Sequence, residues 1–287
     1  MPQKQEAADG DYTSAVNGIV EVFGGMRLTK LADPKIYLGM PTPILKQFLN
    51  ALVAQHSDDE EKKYQNRLKY AGVTKERSSQ TFKWDDGTYP MAEPGIIEEA
   101  LSIGFIRERK NLVVLGPPGV GKSMLVTITV CKAIRNGFSA RYKTAHAIAA
   151  ELCEARSGNS LTGYIKRLSS CDVLAIDDLP YASFTTDSAR DFFAILDARY
   201  ERKSTIVTSN QSFGEWFAEL SAPSMATGLV GRIAQESIII NMNGARDMRL
   251  KHAAEMMGVA AKTLGGQPAA ASYLTSPEME AELCGMN

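Results

Sequence analysis

A glycine-rich loop between a short apolar segment and a helical pattern most strongly constrains how this chain can fold. The loop reads Gly-Pro-Pro-Gly-Val-Gly-Lys-Ser over residues 116–123 and matches the pattern GxxxxGK[ST]. Residues 111–115 before it predict a strand, and residues 123–135 after it predict a helix that stops at Asn136-Gly137. Because this strand, loop and helix are the context that the pattern needs, they favour a phosphate-binding loop over an ordinary turn.

The residues of this loop have distinct expected roles in binding a nucleoside triphosphate. Its glycines let backbone N–H groups approach phosphate oxygens, and the helix that follows adds the positive end of its dipole. We expect Lys122 to reach the β- and γ-phosphates and the Ser123 hydroxyl to ligate Mg²⁺. The nucleotide-binding residues predicted here are Gly116, Pro117, Pro118, Gly119, Val120, Gly121, Lys122 and Ser123.

Strand and helix patterns alternate after the loop, which predicts an α/β fold. Further strands are expected at residues 139–144, 172–176, 204–208 and 237–241. Helices are expected at residues 145–155, 161–169 and 192–199. This alternation is typical of a central parallel sheet that is covered by helices on both faces.

Two adjacent carboxylates follow the third predicted strand. Asp177 lies where a carboxylate would face Mg²⁺ above the loop, and Asp178 where one would orient or deprotonate an attacking water. The alternative is an ordinary acidic pair that begins a turn before Pro180. The strand in front of the pair, which is apolar after its first residue, favours the metal-site interpretation.

Other polar residues of the second half are candidates for contacting the γ-phosphate. Asn210 follows the fourth predicted strand, where an amide could position the attacking water, although Asn is also common in turns. Arg232 and Arg249 could stabilise charge during phosphoryl transfer. Each arginine could equally be a surface residue in an ion pair.

A basic segment follows a predicted N-terminal helix that begins at Thr42-Pro43. Residues 62–83 contain seven basic residues and a single acid, with Tyr64 and Tyr70 interleaved. The segment is either a solvated helix face or a surface that contacts nucleic-acid phosphates. The basic residues are Lys62, Lys63, Arg67, Lys69, Lys75, Arg77 and Lys83.

The composition is that of a globular protein and argues against several classes. The chain is 44% hydrophobic and 23% charged, with a net charge of −1, so any nucleic-acid binding must come from local patches. It has no signal-peptide profile, and no apolar run approaches the length of about 20 residues that a membrane span needs. We therefore expect a cytoplasmic protein with no membrane partner.

Taken together, these motifs resemble the IstB family of AAA+ ATPases, which assist the transposases of insertion sequences and are related to the DnaC helicase loaders. The similarity covers residues 43–251. Its most specific parts are Arg-Tyr-Glu-Arg at residues 199–202, Thr-Ser-Asn at residues 208–210 and Phe-Gly-Glu-Trp at residues 213–216. Residues 111–123, 142–155 and 172–181 also carry it.

This resemblance implies a domain organisation. A P-loop AAA+ ATPase domain is expected at residues 86–251, and a small helical N-terminal domain that contacts DNA at residues 41–85. Residues 1–40 form an N-terminal extension without an assigned role, in which a helix is expected at residues 14–23. Residues 252–287 form a tail for which partner docking is one hypothesis.

The resemblance also implies roles for individual residues. Asn210 matches the sensor I position, Arg232 the arginine finger that acts on a neighbouring subunit, and Arg249 the sensor II arginine that acts in cis. Lys166 and Arg167 lie in the helices that face nucleic acid in this family. The basic segment at residues 62–83 then becomes a DNA-contacting surface.

The function implied by the resemblance is an ATP-dependent and largely sequence-nonspecific DNA-binding ATPase. It would use ATP and Mg²⁺, assemble as a homo-oligomer on target duplex DNA, and recruit or stimulate a transposase. Asp178 stands where the family usually has Glu, so hydrolysis is expected to be slow. One alternative is a helicase loader that acts on a replicative helicase and single-stranded DNA, and another is a nucleotide kinase.

Overall fold

The computed structural model describes residues 2–78, 80, 82, 89–93, 95–179, 184–212, 215 and 231–245, with side chains from Gly10 onwards. The chain divides into two compact units, Met1–Arg67 and Leu68–Asn287. This division lies between the boundaries that the sequence predicts at residues 40 and 85. Within the described part of the chain, no helix is long and apolar enough to cross a membrane.

The N-terminal unit contains α1 (Pro2–Gly25), a 3₁₀ turn (Pro34–Tyr37) and most of α2 (Thr42–Ala71). The Tyr12 hydroxyl donates to the backbone oxygen of Tyr37 at 2.7 Å, and the Tyr37 hydroxyl donates to that of Leu31 at 2.6 Å. These bonds tie the connection between the helices to α1. The small core of the unit consists of Ala15, Val16, Ile19, Phe23, Tyr37 and Leu45.

The first helix is longer than the sequence predicts. It begins at Pro2, whereas the hydrophobic pattern predicts a helix only from residue 14. Apolar residues that face the core start at Ala15, so the polar residues before it gave no periodic signal. Proline is well tolerated at the start of a helix, because its missing N–H would be unpaired there anyway.

The second unit is an α/β structure that starts with the last turn of α2. Two short helices precede the first strand: α3 (Ile96–Ser102) and α4 (Gly104–Arg107). The strands are β1 (Asn111–Leu115), β2 (Ala140–Thr144), β3 (Val173–Asp177), β4 (Ser204–Ser209) and β5 (Ser237–Asn241). The helices between them are α5 (Lys122–Arg135), α6 (Ala145–Ser157), α7 (Leu161–Ser170) and α8 (Thr186–Arg199), and a short helical turn covers residues 231–234.

The five strands form one parallel sheet in the order β2-β3-β4-β1-β5. The strands predicted from the sequence are confirmed, with ends that differ by at most one residue. Helix α8 begins at Thr186 rather than at the predicted residue 192, because the Thr185 hydroxyl accepts a capping hydrogen bond from the Ser188 N–H. Since the strands are parallel, their carboxyl ends lie at one edge, where ligands of such sheets bind.

Helices cover both faces of this sheet, as the sequence predicts. One face carries Val113, Leu174, Ile176 and Val207, which form a buried core with residues of α6, α7 and α8. The alternate strand residues Leu112, Val114, Val173, Ala175 and Ile206 are also buried and point to the opposite face. Helix α5 packs against β2, β3 and β4.

Asp172 joins the amino ends of three strands. Its carboxylate accepts hydrogen bonds from the Ser139 N–H at 2.9 Å and the Lys203 ammonium at 2.6 Å, and its backbone oxygen accepts from Ser204 N–H. Burial alone would raise the pKa of Asp172, but the bonds from Lys203 and Ser139 outweigh it and lower the pKa to about 2. The starts of β2, β3 and β4 are therefore held together by one ionised side chain.

Arg199, the last residue of α8, is buried with 1% of its surface exposed. Its guanidinium donates at 2.8 Å to the backbone oxygens of Leu168 and Cys171, and also to the backbone oxygen of Ser204. Its Nε donates to the Thr205 hydroxyl at 3.1 Å. One side chain thus links the end of α7, the turn before β3 and the start of β4.

Replacing Arg199 with Ala should lower the free energy of unfolding by about 3 kcal/mol or more, because several buried carbonyl oxygens lose their donor. The matched control is Arg202→Ala, an exposed arginine in the following turn. The control should change stability by no more than about 0.5 kcal/mol. Urea denaturation measures both, and equal stability of the two variants would contradict the role assigned to Arg199.

Candidate nucleotide-binding site

The loop after β1 lies at the carboxyl edge of the sheet and requires its glycines. Gly119 and Gly121 have φ values of 85° and 105°, in the left-handed region that favours glycine. A Cβ atom on Gly116 would lie 2.8 Å from the Cβ of Met242, so this position admits no side chain. The Gly116 N–H donates to the Ser209 backbone oxygen at 3.1 Å, which fixes the start of the loop against β4.

Lys122, the first residue of α5, places a buried cation inside the loop. It is 6% exposed, and its ammonium donates to the backbone oxygens of Gly116 at 2.7 Å and Pro117 at 2.9 Å. An ammonium held over a glycine-rich loop at a helix N-terminus is suited to binding phosphate oxygens. The structure thus brings together the loop residues that the sequence predicts.

Asp177, the last residue of β3, accepts hydrogen bonds from three hydroxyl groups. Its Oδ1 accepts from Ser123 Oγ at 3.1 Å and from Thr208 Oγ1. Its Oδ2 accepts from the Tyr142 hydroxyl at 2.5 Å. Asp177 is 5% exposed. The pKa of Tyr142 is raised above its usual value by the burial of the tyrosine and by the negative charge of Asp177.

The oxygen atoms of Ser123 and Asp177, which the sequence predicts as metal ligands, are compatible with a magnesium ion. Both offer oxygen atoms, the ligand type that Mg²⁺ prefers, and these lie 3.1 Å apart. Among the residues that the structure describes, no group of three or more His, Cys, Asp or Glu side chains could hold a metal. Mg²⁺ usually completes its coordination with water and substrate phosphates, so a site with two protein ligands is consistent with its chemistry.

Asp178 follows Asp177 with an unusual backbone conformation. Its φ is 58°, its side chain is exposed, and its N–H donates to Thr208 Oγ1 at 2.9 Å. Aspartate adopts this left-handed region more readily than most residues, because its short polar side chain can bond locally. The Asp178 side chain is thus compatible with the backbone conformation at the end of β3.

Asn210 follows β4 directly and lies beside the loop. Leu115 and Ser209 are register partners of β1 and β4, so the residue after β4 is adjacent to the residue that opens the loop. The sensor position that the resemblance assigns to Asn210 agrees with this placement. Its role remains a prediction.

Arg232 lies in the helical turn at residues 231–234 and contacts α8. Its Nε is 3.0 Å from Asp197 Oδ1, and its guanidinium is 4.8 Å from the centroid of the Phe193 ring. The side-chain amide of Asn111 donates to the backbone oxygen of Arg232 at 3.1 Å, which anchors the turn to β1. Arg249, Lys83, Phe213, Gly214 and Trp216 lie outside the described residues.

The predicted DNA-contacting residues that the structure describes are all exposed. On α7, Tyr164 and Leu168 are buried while the two basic residues face solvent. In the basic segment, Tyr64 is buried and Tyr70 is exposed, so Tyr70 rather than Tyr64 is accessible to a partner. The exposed basic residues are Lys62, Lys63, Arg67, Lys69, Lys75, Arg77, Lys166 and Arg167.

Three polar residues around the site were not predicted from the sequence. Tyr142 bonds to Asp177, Asn111 anchors the turn of Arg232, and the buried Tyr89 hydroxyl donates to the backbone oxygen of Val120 at 2.8 Å. Burial raises the pKa of Tyr89 to about 12, so the phenol remains a donor. Asn111 could have drawn attention as the polar residue of the otherwise apolar β1. The mostly polar β2 gave no such signal for Tyr142.

Comparison with known proteins agrees with this geometry. A family model described as IstB-like ATP binding protein matches residues 42–256, well over half of the chain. The chain belongs to this family. The resemblance shown by the sequence motifs is therefore confirmed, and the family description supports nucleotide binding by this chain.

Relatives of this IstB-like protein come from several insertion sequences. The IS5376 putative ATP-binding protein of Geobacillus stearothermophilus is 31% identical over 193 residues, covering 67% of this chain and 76% of that protein. The IS21 putative ATP-binding protein of Pseudomonas aeruginosa is 30% identical over 188 residues, covering 65% and 69%. The similarity extends over most of both relatives.

Solved structures confirm the AAA+ P-loop fold. DnaI has a TM-score of 0.50 and 20% identity, covering 58% of this chain and 90% of that one. The replication initiator DnaA bound to AMPPCP and single-stranded DNA has a TM-score of 0.52 and 19% identity, covering 69% and 58%. At this identity the likeness concerns the fold alone.

Lys122→Ala should weaken ATP binding about a hundredfold or more, because the phosphates no longer receive charge-assisted hydrogen bonds from the ammonium. The measurement is a titration with a fluorescent ATP analogue. Lys110→Ala is the matched control, since Lys110 pairs with Glu108 at 2.8 Å on the surface. Unchanged affinity of the Lys122 variant would show that the nucleotide binds elsewhere.

Proposed function

We propose that this IstB-like protein is an ATP-dependent DNA-binding ATPase that assembles on target duplex DNA and recruits or stimulates a transposase. The observation that carries the proposal is the cluster of Lys122, Ser123 and Asp177 at the carboxyl edge of the sheet. Family membership supplies the insertion-sequence context, because the relatives are named as ATP-binding proteins of insertion sequences.

Each residue of the site has a proposed part in hydrolysis. Lys122 and the loop N–H groups hold the phosphates, and Ser123 and Asp177 hold Mg²⁺, which neutralises charge on the phosphates when bound. Asp178 orients or deprotonates the attacking water. Asn210, beside the loop, positions that water or contacts the γ-phosphate.

Hydrolysis should be slow compared with ATP binding. Asp178 is one methylene shorter than the Glu usual at this position, so its carboxylate reaches less far towards the water. ATP binding would therefore organise the protein on DNA, and slow hydrolysis would time its release.

The arginines connect ATP binding to oligomerisation. We propose that Arg232 acts on the ATP of a neighbouring subunit and Arg249 on the ATP of its own. In the structure, Arg232 binds Asp197 of the same chain at 3.0 Å. Assembly would exchange this carboxylate for a phosphate, so that each active site is complete only between two subunits.

The exposed basic residues supply the proposed DNA contacts. Lys166 and Arg167 lie next to each other on the exposed side of α7. On α2, Lys63 is paired with Glu60 at 2.7 Å and Lys62 is 3.9 Å from Asp59, so the charge there is partly offset. We therefore assign the stronger contact to α7, and phosphate contacts of this kind carry little sequence specificity.

Fluorescence anisotropy of labelled duplex and single-stranded DNA, in ATP, ADP or no nucleotide, tests the proposal. Tight duplex binding that requires ATP is the expected result. Preference for single strands would favour the alternative, a helicase loader. Absence of binding to either form of DNA in all three nucleotide states would contradict the proposed function.

The double variant Lys166→Ala/Arg167→Ala should weaken duplex binding. It should also lower the salt dependence of the affinity by about one unit for each phosphate that the protein no longer neutralises. Arg107→Ala/Arg202→Ala removes the same charge from other exposed positions and is the control. A salt titration of duplex affinity distinguishes them, and equal slopes for both variants would place the DNA-binding surface away from α7.

Arg232→Ala and Lys122→Ala should each abolish ATPase activity when tested alone. Mixing the two variants should restore activity to about a quarter of the wild-type level, because some interfaces then combine an intact loop with an intact arginine. A steady-state ATPase assay measures this recovery. No recovery in mixtures that form oligomers would mean that Arg232 does not act across subunits.

A further inference from the structure

The Tyr142 side chain lies beside the carboxylate that is proposed to hold Mg²⁺. We infer that Tyr142 is a positioning residue whose hydroxyl fixes the orientation of the Asp177 carboxylate for the metal site. The inference rests on the proposed function, because it assumes the Mg²⁺ site at Asp177. It adds that Tyr142, a residue of β2, controls the affinity of that site for Mg²⁺. Tyr142 would not bind the metal itself and would act only by orienting the Asp177 carboxylate.

The register of the sheet explains how Tyr142 reaches this position. On β2, Thr144 is the register partner of Asp177, and Tyr142 is the partner of Ala175. Residues two apart on a strand share a face, so the long tyrosine side chain extends along β2 towards the end of β3. Its hydroxyl meets Asp177 Oδ2 at 2.5 Å.

The two carboxylate oxygens have different partners. Oδ1 accepts from Ser123 and Thr208, whereas Oδ2 accepts from Tyr142. With Oδ2 held, the carboxylate keeps Oδ1 directed towards Ser123, the other proposed metal ligand. Removing the phenol would leave a buried, charged acceptor without this donor, and the carboxylate would rotate to share its remaining donors.

Helix α5 also lies beside the tyrosine. The Thr127 side chain is close to the Tyr142 hydroxyl, and its own hydroxyl donates to the Ser123 backbone oxygen at 2.6 Å. Thr127 therefore contacts both the positioning residue and the residue that begins the metal site. Hydroxyl groups of α5, β2 and β4 thus surround the Asp177 carboxylate.

Tyr142→Phe keeps the ring and removes only the hydroxyl. We expect the Mg²⁺ concentration for half-maximal binding of a fluorescent ATP analogue to rise about tenfold, as for removal of one hydrogen bond to a charged group. Binding of the analogue in EDTA should not change, because Lys122 and the loop still hold the phosphates. In the ATPase assay the KM for Mg²⁺ should rise more than kcat falls.

The matched control is Tyr37→Phe, which removes a buried tyrosine hydroxyl that donates to a backbone oxygen at 2.6 Å in the N-terminal unit. Its Mg²⁺ midpoint should equal that of the wild type. As a second test, Tyr142→Phe should cause no further shift in an Asp177→Asn background, because the two residues act as one unit.

An unchanged Mg²⁺ midpoint in a folded Tyr142→Phe protein would overturn the inference. So would an equal decrease of affinity with and without Mg²⁺, which is what a merely structural role predicts. If the variant does not fold, Tyr142→Met also removes the hydroxyl and has a flexible side chain that can fill the space of the ring. An unchanged midpoint there has the same meaning. Failure of the wild type to bind the nucleotide would instead reject the proposed function.

Discussion

The carboxylate of Asp177 is the point on which the rest of the structure depends. It is buried at the end of β3 and accepts hydrogen bonds from hydroxyl groups of α5, β2 and β4. A buried charge is tolerated only where it is paired or hydrogen-bonded, so the elements around it must meet in one arrangement. The parallel sheet supplies that arrangement by placing the ends of β3 and β4 and the loop after β1 at one edge.

Local patterns predicted the strands and the two site residues that matter most. The proximity of Ser123 and Asp177 could be predicted from the sequence, because the loop with Ser123 follows one recognisable strand and Asp177 ends another. Tyr142 could not, since its contact depends on β2 lying next to β3, and neighbour order in a sheet is not a local property of the chain. The early start of α1 was missed for a similar reason, because its polar residues carry no hydrophobic period.

The turn that carries Arg232 shows how the sheet and a proposed intersubunit contact are connected. Asn111 occupies the start of β1, where its side chain bonds to Arg232, to Ile233 and to the Thr205 N–H. The position of the turn is thus set by the same strand whose other end opens the phosphate-binding loop. The phosphate-binding loop and the turn of Arg232 therefore lie at opposite ends of the same strand, β1.

Arg199 has a consequence for the order in which the chain can fold. Its hydrogen-bond partners come from the α7–β3 connection and from β4, on either side of α8 in the sequence. A guanidinium with so little access to water must meet all of these partners at nearly the same time, since a half-formed set would leave a buried charge with too few acceptors. Helices α7 and α8 and strands β3 and β4 should therefore form and open as one cooperative unit, and their protected amides should exchange together in a hydrogen-exchange experiment.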